Sequence, residues 1–174
     1  MQLQDKYRIA LLSAYAIGIH ALESLLPSPI PWMRLGLANV ITVIALMLYG
    51  FRTAMLVTLV RVLLSSLLTG TFPGPAFILS LGGGVSSTLA MGLAASVCQR
   101  LFSAVGLSII GAFFHNMAQL VLAYFFVIQR IEAVLFIMPV ITLIGTLTGT
   151  LNGLVAAMVI GSLKKDIIEK KPVR

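Results

Sequence analysis

The chain has 174 residues, 59% of them hydrophobic and only 10% charged, with a mean hydropathy of +1.07. A soluble domain is about 45–50% apolar and about 25% charged, so composition excludes an ordinary soluble enzyme or binding module and points to an all-α, polytopic membrane protein. The net charge of +7 would suit nucleic acid, but most basic residues sit at the chain ends beside apolar segments, where membrane orientation explains them.

Six apolar segments, each near the roughly 20 residues that a bilayer span needs, can be drawn at 9–26, 35–50, 53–70, 76–97, 104–127 and 133–162. Together they make one integral membrane domain over 1–174, a six-helix bundle. The first eight residues are polar and no cleavable leader is expected, because the apolar run behind them is of spanning length. Six spans put both termini on one side. Lys6, Arg8, Arg52, Arg100, Lys164, Lys165, Lys170, Lys171 and Arg174 lie on that side. Only Arg34 and Arg130 lie on the other, so both termini are expected in the cytoplasm.

The first segment has two unlike faces. Ala10, Ala14, Gly18 and Ala21 fall within about 80° of one another at helical spacing, a ridge of small residues along which another helix can approach. His20 and Glu23 point to the opposite side, and an ionisable group on a membrane helix is expected to face protein or a wet cavity. The PSPIPW loop at 27–32 is stiff and ends at Arg34. With TGTFPGP at 69–75 it reads as a lid over a site that opens outward, Trp32 serving as an interfacial anchor.

Arg61 lies inside the third segment, with Thr58, Ser65 and Thr69 within about 80° of it. A guanidinium at mid-membrane costs from about 3 to more than 10 kcal/mol, so it needs a partner in the bundle core. That partner is either an anionic group on a bound solute or Glu23, and the two roles are compatible. The fourth segment repeats the small-residue device through Gly82, Ser86, Ala90 and Ala94. Its GGGVSS run lacks the lysine of a nucleotide P-loop, so an opened backbone or a close helix contact is expected there.

His115, Asn116 and Gln119 span about 100° of the fifth segment, flanked by Ala112 and Ala123. Such groups either bond across helices or line a cavity. In the sixth segment Gly145, Gly149 and Gly153 repeat every four residues, with Thr142 and Asn152 on nearly the same face, which reads as tight packing on a neighbour. No metal centre is expected, since His20, His115 and the single Cys98 are too few for a dedicated site.

Six spans, both ends inside, and Ala10-Leu-Leu-Ser-Ala14 on the first helix resemble the substrate-binding S components of energy-coupling factor (ECF) transporters. That resemblance implies that Ala10 and Ala14 dock a transmembrane coupling subunit, which two cytoplasmic ATPases drive. ATP would then be used by the partners, with no cofactor bound by this chain. More specifically, RLGLANVITVIALMLYGFRTAMLVTLVRVLLSSLLTGTFPGPAFILSLGGGVSS at 34–87, with GAFFHNMAQ later, is similar to the Gx transporter family. That family is also labelled heptaprenyl diphosphate synthase component I. The likeness covers nearly the whole chain.

The synthase label and the residues disagree. Prenyl chain elongation needs paired aspartate-rich motifs to hold magnesium and diphosphate, and this chain has only Asp5 and Asp166, both near its ends. The expectation is therefore a non-catalytic subunit of a bacterial cell membrane that captures a small anionic solute. Its candidate binding residues are Glu23, Arg34, Arg61, His115, Asn116, Gln119 and Asn152. Two other classes stay open: a membrane partner in heptaprenyl diphosphate or quinone synthesis, and a structural subunit of a redox complex.

Overall fold

A computed structural model describes residues 3–25, 38–97 and 102–169. They form α1 (Leu3–Leu25), α2 (Asn39–Tyr49), α3 (Phe51–Leu68), α4 (Pro75–Val97), α5 (Ala104–Ala123) with a π-helical turn at Tyr124–Ile128, and α6 (Ile131–Glu169). There is no strand among the described residues. Four helical stretches are long and apolar enough to cross a membrane: Phe51–Leu68, Pro75–Val97, Ala104–Ile128 and Ile131–Leu163. The apolar parts of α1 and α2, Ile9–Ile19 and Asn39–Tyr49, are shorter. The segments expected at 9–26 and 35–50 both run into residues outside the description.

The bundle is organised around α2. Every residue from Asn39 to Leu46 is buried, so this helix is covered on all sides, as a helix that is apolar all round should be. It touches each of the other helices, while α1, α3, α4, α5 and α6 follow one another around it as packed neighbours in that order. The outer faces of that ring remain apolar: Leu63, Phe114, Val121, Phe136, Leu143 and Leu151 are among many large exposed side chains. An aqueous surface does not carry apolar residues in that density, whereas hydrocarbon leaves them at no cost. Most of the apolar stretch of α6 is outward-facing, and in its most apolar 18 residues only 17% are buried.

Gly50 turns α2 back into α3 within a single residue. Its φ of +84° is a backbone conformation that a side chain would oppose, and its N–H bonds to Leu46 O at 3.0 Å. The short turn fixes an antiparallel register in which Thr42 faces Thr58 and Asn39 comes level with Arg61. At the far end of α3 the helix stops sooner than the polar stripe predicts. Thr69 is its C-cap, exposed, with its hydroxyl donating to Ser65 O at 2.8 Å, so it does not join Thr58, Arg61 and Ser65 in the core.

The fourth helix corrects its expected register by one residue. Gly82, Ser86, Ala90 and Ala94 are only half-buried, and the tightly packed face runs through Gly83, Gly84, Ser87, Thr88 and Met91. The GGGVSS run is continuous helix, a close contact and not an opened loop. In α6, 39 residues make a helix of about 58 Å, well beyond the roughly 30 Å of a hydrocarbon core, and Pro139 withholds one hydrogen bond near its start.

Candidate functional site

The buried polar side chains divide into a layer that is closed on itself and a layer that is not. In the closed layer the hydroxyls of Thr42, Thr58 and Thr88 stand 3.3 and 3.0 Å apart in sequence, and Thr88 donates to Gly84 O at 2.8 Å. Each hydroxyl has one proton. Since that of Thr88 goes to Gly84 O, Thr58 donates to Thr88 and Thr42 donates to Thr58. All three protons are used, and the chain joins α2, α3 and α4.

One turn from this chain, several buried polar atoms lack partners among the described residues. Arg61 is buried at 3% exposure, about 15 Å along α3 from Phe51 and about 10 Å from Leu68. Its guanidinium lies along the α4 backbone: a methyl group added to Gly84 would sit 3.5 Å from Nη2 and 2.9 Å from Thr58 Cγ2. From the adjoining face of α4, a methyl on Gly83 would sit 2.9 Å from His115 Cε1, 3.0 Å from its Nδ1 and 3.0 Å from Gln119 Cγ. Two adjacent glycines thus let side chains of α3 and α5 close on one stretch of α4. His115 and Gln119 are buried; both amide atoms of Gln119 have no hydrogen-bond partner among the described residues, and neither ring nitrogen of His115 makes a well-formed bond, its nearest partner being the Gly83 backbone. The same is true of Asn39 Oδ1, Ser65 Oγ and Ser87 Oγ.

Asn116 belongs to a different contact. Although adjacent to His115, it faces α6, where its Nδ2 donates to Ile141 O at 3.3 Å and abuts Gly145. The glycine repeat of α6 continues that contact, packing as expected on a neighbour. A methyl on Gly149 would lie 3.2 Å from Ile109 Cα and Ser108 O, and one on Gly153 would meet Val105 Cα and lie 3.1 Å from Ala104 O. Asn152 is buried beside Gly153, level with the first turns of α5. His115 lies about 10 residues further along α5 than Val105, so Asn152 stands about 15 Å away along the bundle axis. The structure therefore brings Arg61, His115 and Gln119 together and sets Asn116 and Asn152 apart from them.

Glu23 lies on the last turn of α1, with its side chain outside the described residues, as is that of His20; Arg34 lies wholly outside them. Ala10 and Ala14 are exposed, and a methyl on Gly18 would meet nothing within 4 Å, so the small-residue ridge faces away from the bundle. Among the described residues no three of His, Cys, Asp and Glu come together.

Sequence reasoning did not single out Asn39, Ser87 or Thr88. For Asn39 a signal exists: ANVITVIAL places an amide and a hydroxyl one turn apart in a run otherwise apolar on every face. Such a run belongs at the centre of a bundle, where no face is left for a polar group except another helix.

A protein-family profile described as heptaprenyl diphosphate synthase component I matches residues 12–159. The match takes in Arg61, Gly83, Gly84, His115 and Gln119, and leaves Ala10 just outside it. No curated protein and no solved structure matches the chain. With most of its length covered, the chain belongs to the heptaprenyl diphosphate synthase component I family.

Proposed function

We propose that this protein is a membrane subunit that captures a small anionic solute from the outer side of a bacterial cell membrane. The observation that carries the reading is the layer at Gly83 and Gly84: a buried arginine, an imidazole, and a carboxamide whose two polar atoms have no partner among the described residues. A guanidinium held in an apolar bundle favours a negative group, and unpaired donors beside it favour one that is bound and released. In this mechanism Arg61 pairs with the anion while His115 and Gln119 orient it. Arg34 and Glu23 act at the outer entrance; Asn116 and Asn152 hold α6 in place around the site.

The chain itself is non-catalytic in this reading and binds no cofactor. Energy comes from a separate transmembrane coupling subunit and two cytoplasmic ATPases, as in the S components that it resembles. The exposed ridge of Ala10, Ala14 and Gly18 supports a docking role on the first helix. A second reading, a membrane partner in heptaprenyl diphosphate or quinone synthesis, is favoured by the family's description. There the anion would be a lipid diphosphate in the same layer.

Extraction in mild detergent tests the two. Copurification of a coupling subunit with two ATPases is expected; magnesium-dependent prenyl transfer by the purified chain would favour the second reading and defeat the first. In cells, Arg61→Ala and His115→Ala should each lower uptake at least about tenfold while the complex still assembles. Unchanged uptake in an assembled complex removes the site.

A further inference from the structure

The count of donors and acceptors beside Gly83 restricts the occupant more than charge does. Among the described residues Gln119 presents an unpaired Oε1 and an unpaired Nε2, and His115 presents two ring nitrogens without a well-formed bond, the Gly83 backbone lying nearest. Exchanging the oxygen and nitrogen of the amide, or choosing the other imidazole tautomer, changes nothing in this count. Either way the amide offers donors at one end and an acceptor at the other, and a neutral imidazole offers one of each. Both side chains are pressed against the same glycine, so these groups stand side by side. Asn39 Oδ1, level with Arg61 on α2, is a further acceptor without a partner.

A fully ionised phosphate, diphosphate or carboxylate can only accept. It would pair with Arg61, the amide NH₂ and the imidazole N–H, and its lone pairs would face those of the amide oxygen and the bare ring nitrogen. Removing a polar group from water without pairing it is costly, and a site built this way favours a ligand that answers both ends. We propose that the occupant is a small anion carrying an amide-like N–H/C=O edge, with its negative group on Arg61 and its edge on Gln119 and His115 across Gly83. The inference rests on the anion-capture reading and narrows it. It also sets aside the acceptor-only head of a prenyl diphosphate as the occupant.

The test is calorimetric titration of the full chain in lipid nanodiscs with three probes. Orotate carries a carboxylate and a ring N–H/C=O edge; benzoate carries the carboxylate alone; inorganic pyrophosphate carries phosphoryl oxygens and no N–H/C=O edge. Orotate should bind at least about tenfold more tightly than either of the others, because only it pairs the amide oxygen as well as the amide NH₂. In Gln119→Met that advantage should shrink to about twofold or less, and in Arg61→Gln orotate binding should weaken about tenfold. If benzoate or pyrophosphate binds as tightly as orotate and Arg61→Gln still weakens it, the amide-edge inference is overturned while anion capture stands. If no probe binds, or if Arg61→Gln leaves all binding intact, both fall. The comparison of probes on the unaltered protein decides the matter even where a variant fails to fold.

Discussion

Where α5 meets α6, Gly145, Gly149 and Gly153 bring one helix onto the backbone of another. Where α5 meets α4, Gly83 brings a helix onto the His115 ring and the Gln119 stem. The first contact is mostly closed: backbone lies on backbone and the Asn116 amide donates to Ile141 O, although Ser108 Oγ beside Gly153 has no partner among the described residues. The second leaves the amide of Gln119 without a partner at either end among the described residues. In lipid, close helix approach is the main source of association, so the first arrangement accounts for itself as packing. Unpaired polar atoms oppose folding, so the second arrangement needs a reason outside stability, and occupancy by a ligand supplies one.

Substitution at the glycines should break or sharpen that contrast. Gly153→Ala drives a methyl into Val105 Cα and the Ala104 carbonyl, neither of which can rotate away. A loss of about 3 kcal/mol is expected, read as a lowered unfolding midpoint in detergent. Gly83→Ala instead meets side-chain atoms and not backbone, the His115 ring and the Gln119 Cγ. Its cost to stability should be nearer 1 kcal/mol, while ligand binding, which needs His115 and Gln119 in place, should fall at least about tenfold. Equal destabilisation by the two variants would erase the distinction between a packing contact and a site.

The two contacts were unequally legible in the sequence. The four-residue glycine repeat of α6 names its own use, because glycines on one helical face permit one thing, a near neighbour. His115 and Asn116 are adjacent on a single polar face, yet one turns to α4 and the other to α6, and only the placement of both neighbours around α5 separates them. On α4 the triple glycine left the register open by one residue, since Gly82, Gly83 and Gly84 offer any of three faces. The stripe of Thr58, Arg61, Ser65 and Thr69 was read correctly over three members. It failed at the fourth because helical periodicity does not say where α3 ends. The central place of α2 was hidden for the opposite reason: a helix buried on every side has no periodic signal to read.

Asn116→Ala probes the closed contact at a finer scale. The lost bond to Ile141 O is one interhelical hydrogen bond in an apolar setting, worth about 1 kcal/mol, and binding should be little changed. Should binding collapse with only a small loss of stability, Asn116 would move from the packing contact into the site.

The smallest expected effect is also the most diagnostic. Gln119→Met replaces a buried amide with a side chain of similar length and no strong hydrogen-bonding atoms. Because both amide atoms lack a partner among the described residues, removing them relieves a cost, so the unliganded protein should gain up to about 1 kcal/mol of stability. The same variant should lose ligand preference, the pattern expected of a residue kept for function at the expense of the fold. Thr58→Val makes the contrasting control. It removes a middle member of a hydroxyl chain in which every proton is used, leaves the Thr42 proton without its acceptor while Thr88 keeps Gly84 O, and should cost about 1 kcal/mol. A Gln119→Met protein destabilised as much as Thr58→Val would mean that the amide is already paired within the fold. Only opposite signs for the two substitutions separate a layer that holds the helices together from one that waits for an occupant.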